Sequence, residues 1–486
     1  MSEPFDLLIR GATVVAESGT IQCDLAVRDG RIAALGNSPG PARDVIDATG
    51  LLALPGGVDA HCHIDQVSST GLRTADDFFT GGVSAACGGT TTFIPFAAQH
   101  RGQSLRRVVA ACHARAAPRA FIDYAFHLIV SDPSEAVLAD ELPALIREGY
   151  TSLKVYMTYD ALRLTDRQVL DVLAVARREG ALTLFHAENH DAIAWLTARL
   201  LAEGKTSPKH HAAARPPEAE REATARACML AGLADVPILI VHVSCGGALD
   251  EIRRARARGV TAYAETCPQY LVFTAADLDR PGFEGAKWMF SPPARDLEAQ
   301  AALWTGLADG TFDIFSSDHA PYRFDDPEGK KAHGENAPFH RVPNGVPSLE
   351  LRLPLLFSEG VSRGRISLER FVALTATNPA RLYGLYPRKG CIRVGADADL
   401  AVWDPRRETS VTQWALHDRM DYTPFEGLRL EGWPVITISR GEVIWMNDQV
   451  RGEPGRGRFI RRTPEPLAPS ATLMADRPRD PNEPGS

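Results

Sequence analysis

The sequence predicts an α/β protein: a (β/α)8 barrel of the TIM type, flanked by a small β-sandwich built from both chain ends. Two textures carry this reading. Across residues 55–387, eight short apolar or β-branched runs alternate with helix-like stretches, as a parallel sheet wrapped in crossover helices requires. Residues 1–54 and 388–450 instead alternate apolar and polar positions between turn signals, and "IRGATVV" near the start is echoed by "SRGEVIW" near the end. A two-residue period bounded by glycines is that of antiparallel strands, so the two ends are read as halves of one small domain.

Taken in order, "DLLIRGATVV" and "CDLAVRDGRIAALG" open the sandwich. The barrel strands follow as "GLLALPGGVDA", "GTTTFIPF", "IDYAFHLIV", "TSLKVYM", "ALTLFHA", "PILIVHV", "VTAYAET" and "FDIFSS". Between them, "DRQVLDVLAVARREG" spaces its apolar residues three and four apart and stops at glycine, the pattern of an outer helix. "DADLAVWDP" and "PVITISRGEVIWMNDQ" then return to the two-residue period. Residues 451–486 read as an extended or flexible tail, with proline and charge accumulating from Pro464 on.

With 486 residues, 44% of them hydrophobic, the chain can bury a core larger than one small domain. A net charge of −8 and an isoelectric point near 6.0 leave no basic footprint for nucleic acid or an anionic membrane, and a small neutral or weakly ionised substrate is the expected partner. The N-terminus has no basic stretch leading into an apolar one, and the longest apolar run, "VPILIV", is too short to span a bilayer; the protein is read as cytoplasmic. Eight cysteines without a CxxC pair fit reduced thiols that fill the core.

Residues able to do chemistry fall at the ends of these runs. His61 and His63 end the first in "DAHCHIDQ", Lys154 lies in the fourth in "SLKVY", His186 ends the fifth in "LFHAEN", His242 the sixth in "IVHVS", and Asp318 the eighth in "FSSDHAP". Strand ends of a parallel barrel converge on one face, so these six are predicted to meet there. His61 and His63, two apart, share one side of an extended strand. A lone histidine at a strand end is an ordinary hydrogen-bonding residue, and His190, His210, His211, His319 and His340 are given no metal role. Six such residues, an HxH pair and four single ones on further strands, form a different pattern. Imidazoles with a carboxylate suit zinc, or another borderline divalent metal, better than calcium or magnesium. Four histidines exceed one open zinc site, so two ions are expected.

Lys154 is the anomaly in this set. Thr151, Leu153 and Val155 mark its strand as buried, and an ammonium beside two divalent cations is repelled. Capture of carbon dioxide removes the conflict: the resulting carbamate carries one negative charge and two oxygens, and can bridge two metals as a glutamate would.

The stretches "LLIRGATVV", "PGGVDAHCHID", "TADDFFTGGVSAACGGTTTFI", "SLKVYMTY", "FHAEN", "VHVS", "ETCPQYL", "FSPPAR", "SSDHAPY", "VPNGVPSLE" and "NPARLYGLYPRKGCIRVGADADLAVWDP" resemble the cyclic-amidohydrolase branch of the amidohydrolase superfamily, within it dihydropyrimidinase and D-hydantoinase. The resemblance spans nearly the whole chain. It implies hydrolytic opening of a dihydropyrimidine, a hydantoin or another cyclic imide to an N-carbamoyl amino acid, by hydroxide bridging two metals. It places His61, His63 and Asp318 on the first metal, His186 and His242 on the second, and carboxylated Lys154 between them. It also implies that Asp318 shuttles the proton, that Tyr159 stabilises the oxyanion, that the main chains of Ser291 and Asn344 hold the ring amide, and that the protein is a homotetramer. Dihydroorotase and allantoinase are the nearest rivals. The former resembles HxHxR, with an arginine for a substrate carboxylate, where this chain has Asp65, a position that disfavours an anionic substrate. A non-catalytic adaptor of the same fold is the rival from another class, and it is disfavoured because all six ligand positions are filled. The loop "QVSSTGLRTADDF" departs from the hydantoinase pattern and is expected to roof the pocket.

Overall fold

The computed structural model describes residues 3–16, 19–68 and 70–463 of the chain. The first alternating stretch pairs with itself: β1 (Phe5–Ala16) runs antiparallel to β2 (Gly19–Arg28), and β2 to β3 (Arg31–Gly36). β4 (Ala42–Asp47) and β5 (Leu52–Pro55) return parallel to β1. The run "GLLALPGGVDA", expected as one barrel strand, is divided between the two domains. β5 belongs to the sandwich, and the first barrel strand, β6 (Gly57–Cys62), starts after Gly56. Sterics explain the break: a Cβ on Gly56 would sit 2.3 Å from Thr91 Oγ1, and one on Gly57 2.7 Å from Arg352 Nη2, so only glycine passes.

The barrel continues through β7 (Thr90–Ala98), β8 (Asp123–Tyr124), β9 (His127–Ile129), β10 (Ser152–Tyr156), β11 (Leu182–His186), β12 (Ile238–Ile240), β13 (Ala262–Thr266) and β14 (Ile314–Phe315). The third expected run is thus split into β8 and β9, both beside β7. Parallel pairing runs from β6 to β14, and the circle closes where Asp318 N–H donates to His61 O at 2.8 Å and His63 N–H to His319 O at 2.7 Å. Val58, Ile94, Leu182, Leu184, Leu239 and Ile314 fill the interior.

Outside, helix Asp166–Glu179 shows why the segments between strands are helical. Thr165 and Gln168 form a capping box at its start, Gly180 at φ +75° ends it, and Val169, Val172, Leu173 and Ala176 bury one face. Each of the valine and leucine side chains contributes about 1.5–3 kcal/mol of burial.

β15 (Leu400–Ser410), β16 (Arg429–Ser439), β17 (Glu442–Met446) and β18 (Gln449–Val450) complete the sandwich sheet, with β15 pairing antiparallel to β5. Its core joins Ile9, Val14 and Val27 from one end to Leu400, Val402 and Ile438 from the other. The following segment, where the tail was expected to begin, packs on the barrel floor: Ile460 N–H donates to Tyr124 O, and buried Arg462 donates to Ser152 Oγ at 2.7 Å. Residues from Pro464 on lie outside the described residues. All eight cysteines are buried. No described helix is long and apolar enough to cross a membrane.

Candidate active site

Backbone irregularities aim the side chains at the barrel mouth. Val58 and Ala60 face the interior, so simple alternation would turn His61 and His63 outward. A register shift against β7 between Asp59 and Cys62 inserts an extra residue and reverses the parity. At His242 and Asp318 the chain turns through left-handed conformations, φ +41° and +48°, which cost a non-glycine residue on the order of 1–2 kcal/mol. β10 needs no such device: Ser152, Lys154 and Tyr156 face inward by alternation, while Leu153 and Val155 pack outward.

His61 Nε2, His63 Nε2 and an Asp318 oxygen lie within 4.8 Å of one another, the two nitrogens 3.3 and 3.2 Å from Asp318 Oδ1. Across the mouth, His186 Nδ1 and His242 Nε2 face each other at 2.9 Å. Three of the four far nitrogens are engaged: His61 Nδ1 meets Glu265 at 2.6 Å, His63 Nδ1 meets Gln66 at 2.8 Å, and His186 Nε2 meets Glu188 at 2.7 Å, while His242 Nδ1 has no partner among the described residues. An acceptor at one ring nitrogen fixes the proton there and leaves the opposite lone pair for a cation. Burial pushes the pKa of His61 and His242 well down, and that of His186 down against the pull of Glu188. These imidazoles are neutral at neutral pH. Burial raises the Asp318 carboxyl, but His61, His63 and Lys154 outweigh it and keep the group ionised.

Lys154 is fully buried, and its Nζ has no hydrogen-bond partner among the described residues. The rings of Tyr156 and Phe96 lie 5.3 and 5.7 Å away. Burial brings its pKa down to about 8, although Glu265 and Asp318 pull it up. Burial likewise lifts Glu265 to about 8. A donor set of imidazoles and a carboxylate, gathered around an unpartnered buried amine, fits a divalent cation pair. A second group of ligand types, Cys87, Glu350 and His417, lies at the sandwich junction; there both Glu350 oxygens are already taken by the backbone and ring of His417.

The other expected residues border this cluster. Tyr159, at φ +71°, sets its ring 5.3 Å from that of His186 and its hydroxyl against Ser291. Burial raises its phenol pKa, so it remains a donor. No hydrogen bond within the described residues uses the main-chain N–H or carbonyl of Ser291 or Asn344. Neighbouring carbonyls are engaged: Phe290 O accepts from His211 at 2.9 Å, and Pro292 O from Tyr270 at 3.0 Å.

Several residues here were not singled out from the sequence. Glu265, in "ETCPQYL", inherits the inward face of Tyr263 by alternation; Glu188 stands two places after His186. Arg215 pairs with Glu188 at 2.6 Å and lies over the Tyr159 ring at 5.1 Å. Glu188 is drawn down to about 2: burial opposes ionisation, but Arg215 and His186 overcome it. Asp65 is held by Arg73 at 2.5 Å and Arg115 at 3.1 Å, so it is no bare anion, and the argument it gave against an anionic substrate loses its force.

Against known proteins, the amidohydrolase family model matches residues 52–444. The D-hydantoinase of Ralstonia pickettii is 45% identical over 94% of this chain and 99% of its own. That of Geobacillus stearothermophilus is 43% identical over 97% and 98%. The crystal structure of dihydropyrimidinase from Brevibacillus agri superposes with a TM-score of 0.91 at 44% identity, covering 94% of this chain and 98% of that one. The chain belongs to the amidohydrolase family, in its D-hydantoinase and dihydropyrimidinase branch.

Proposed function

We propose that this protein opens the ring of a 5-substituted hydantoin or a 5,6-dihydropyrimidine by hydrolysis, releasing the N-carbamoyl amino acid. The observation that carries the reading is the gathering of His61, His63, His186, His242 and Asp318 around the unpartnered amine of Lys154. His61, His63 and Asp318 would hold one divalent ion and His186 and His242 a second, with zinc best suited to the donors. Bound there, such a pair acidifies a water and polarises a carbonyl.

The remaining work belongs to side chains. A pKa near 8 gives Lys154 an appreciable neutral fraction. Its nitrogen adds to the carbon of CO2 and loses a proton to solvent, giving a carbamate whose single negative charge, shared over two oxygens, would be offered to the pair. Asp318 takes the proton of the attacking water and returns it to the departing ring nitrogen. Tyr159 donates to the oxyanion, a contact worth about 3 kcal/mol in the transition state. Ser291 and Asn344 offer main-chain donors and acceptors to the ring amide. Glu265, Gln66 and Glu188 fix the imidazole tautomers. The family likeness further leads us to assign a homotetramer, which sedimentation of the purified protein tests.

The direct test is a panel of hydantoins and dihydropyrimidines given to zinc-loaded protein. Carbamoyl product that disappears on chelation and returns with metal is expected. A protein that binds two metals per chain yet opens no ring in the panel contradicts the reading, and one that stays folded and metal-free points to the adaptor class.

A further inference from the structure

Lys330 is as deeply buried as Lys154 but is saturated with acceptors. Its Nζ lies 3.0 Å from Met289 O, 2.7 Å from Pro343 O and 2.7 Å from Gly345 O. Three carbonyls match the three N–H groups of an ammonium. A neutral amine has two, and would turn its lone pair on the third carbonyl. Burial pushes its pKa well down, while acceptors on all three of its hydrogens favour the charged form.

Those carbonyls belong to the two segments that carry Ser291 and Asn344. Peptide planarity turns this into an orientation. The Pro343 carbonyl points at Lys330, so the Asn344 N–H in the same plane points away from it. The Gly345 N–H donates to Met289 O at 2.9 Å, so the Asn344 carbonyl in that plane points away from Met289. Both main-chain groups of Asn344 are thereby turned out of the clamp. The clamp is also anchored to the mouth: Ala320 N–H donates to Val346 O at 3.1 Å, and a Cβ on Gly345, at φ +143°, would sit 2.4 Å from Ala320 O.

We propose that Lys330 is a positioning residue that staples the Ser291 and Asn344 segments together, presenting their main-chain groups to the ring amide of the substrate. This rests on the reading that those main chains hold the ring, and it adds the group that sets their geometry. Lys330 bonds to none of the candidate metal ligands; it acts through the carbonyls of Met289, Pro343 and Gly345.

The test compares kcat/KM for a hydantoin with that for the same ring methylated at its imide nitrogen, in zinc-loaded wild type and Lys330→Met. Wild type is expected to favour the parent ring strongly. Lys330→Met is expected to lose at least tenfold of that preference, chiefly through KM for the parent, with metal content unchanged. Lys330→Arg, which keeps charge and donors, recovers part of it, and Lys330→Gln serves if the methionine variant does not fold. A fall of equal size for both rings, or an unchanged preference, overturns the role of Lys330 and leaves the hydrolase reading standing. Wild type inactive on both rings sinks the hydrolase reading, and this inference with it.

Discussion

Lys154 at the barrel mouth and Lys389 at the domain junction are both buried, yet their surroundings are opposite. Lys389 Nζ is met by three carboxylates: Asp123 of β8 at 2.7 Å, with Asp397 at 3.1 Å and Asp399 at 2.5 Å from the approach to β15. Burial opposes its charge, and those carboxylates outweigh it and raise its pKa. Lys154 has no such partner and sits near pKa 8. A buried cation with its anions supplied locks two domains together; one without them is the state that the proposed carboxylation requires.

Replacing each lysine breaks the comparison at one end. Lys154→Ala is expected to lower turnover by about 10³-fold or more and to lose metal, with partial rescue by a short carboxylic acid standing in for the carbamate. Metal analysis at wild-type level in that variant contradicts the bridging role. Lys389→Met removes the cation that three buried carboxylates share, leaving Asp123 to Arg440 and Asp397 to Arg388, and is expected to cost about 3–5 kcal/mol in denaturant unfolding, with metal content and turnover of the folded fraction retained. Loss of metal in Lys389→Met, with stability unchanged, reverses the contrast.

Three smaller effects sharpen it. Tyr159→Phe is expected to lower kcat about 100-fold with both metals in place, separating chemistry from metal holding; unchanged turnover removes the oxyanion contact. Glu265→Gln weakens the partner of His61 and is expected to lower metal affinity about 10- to 100-fold in a competition titration. The pH response has a fixed sign: only the neutral Lys154 amine adds CO2, and its fraction grows as pH rises through about 8. At constant dissolved CO2, carboxylation of metal-free protein is expected to quicken about tenfold from pH 7 to 9. A flat profile means that the amine is neutral throughout.

The barrel was legible in the sequence because its strands are apolar runs of the right length, and the mouth residues because each ends such a run. What escaped depends on partners far along the chain. Glu265 meets His61 from 204 residues away, and no local period announces it. The bulge in β6 and the left-handed turns at His242 and Asp318 are set by packing against neighbouring strands, so alternation alone misaims His61 and His63. The division of "GLLALPGGVDA" was partly foreshadowed by its paired glycines, whose need arises only where Thr91 and Arg352 press on the chain. Asp65 pointed to the branch that the relatives confirm, yet its surroundings could not be read: its charge is plain in the sequence, while Arg73 and Arg115 that satisfy it are plain only in the fold.

The central claim is that Lys154 becomes an anion. A crystal structure of the active, zinc-loaded enzyme grown with bicarbonate tests it most directly. The account predicts planar density for a carboxylate on Nζ, with an oxygen reaching each metal. Density for an unmodified amine in crystals that still turn over substrate contradicts it.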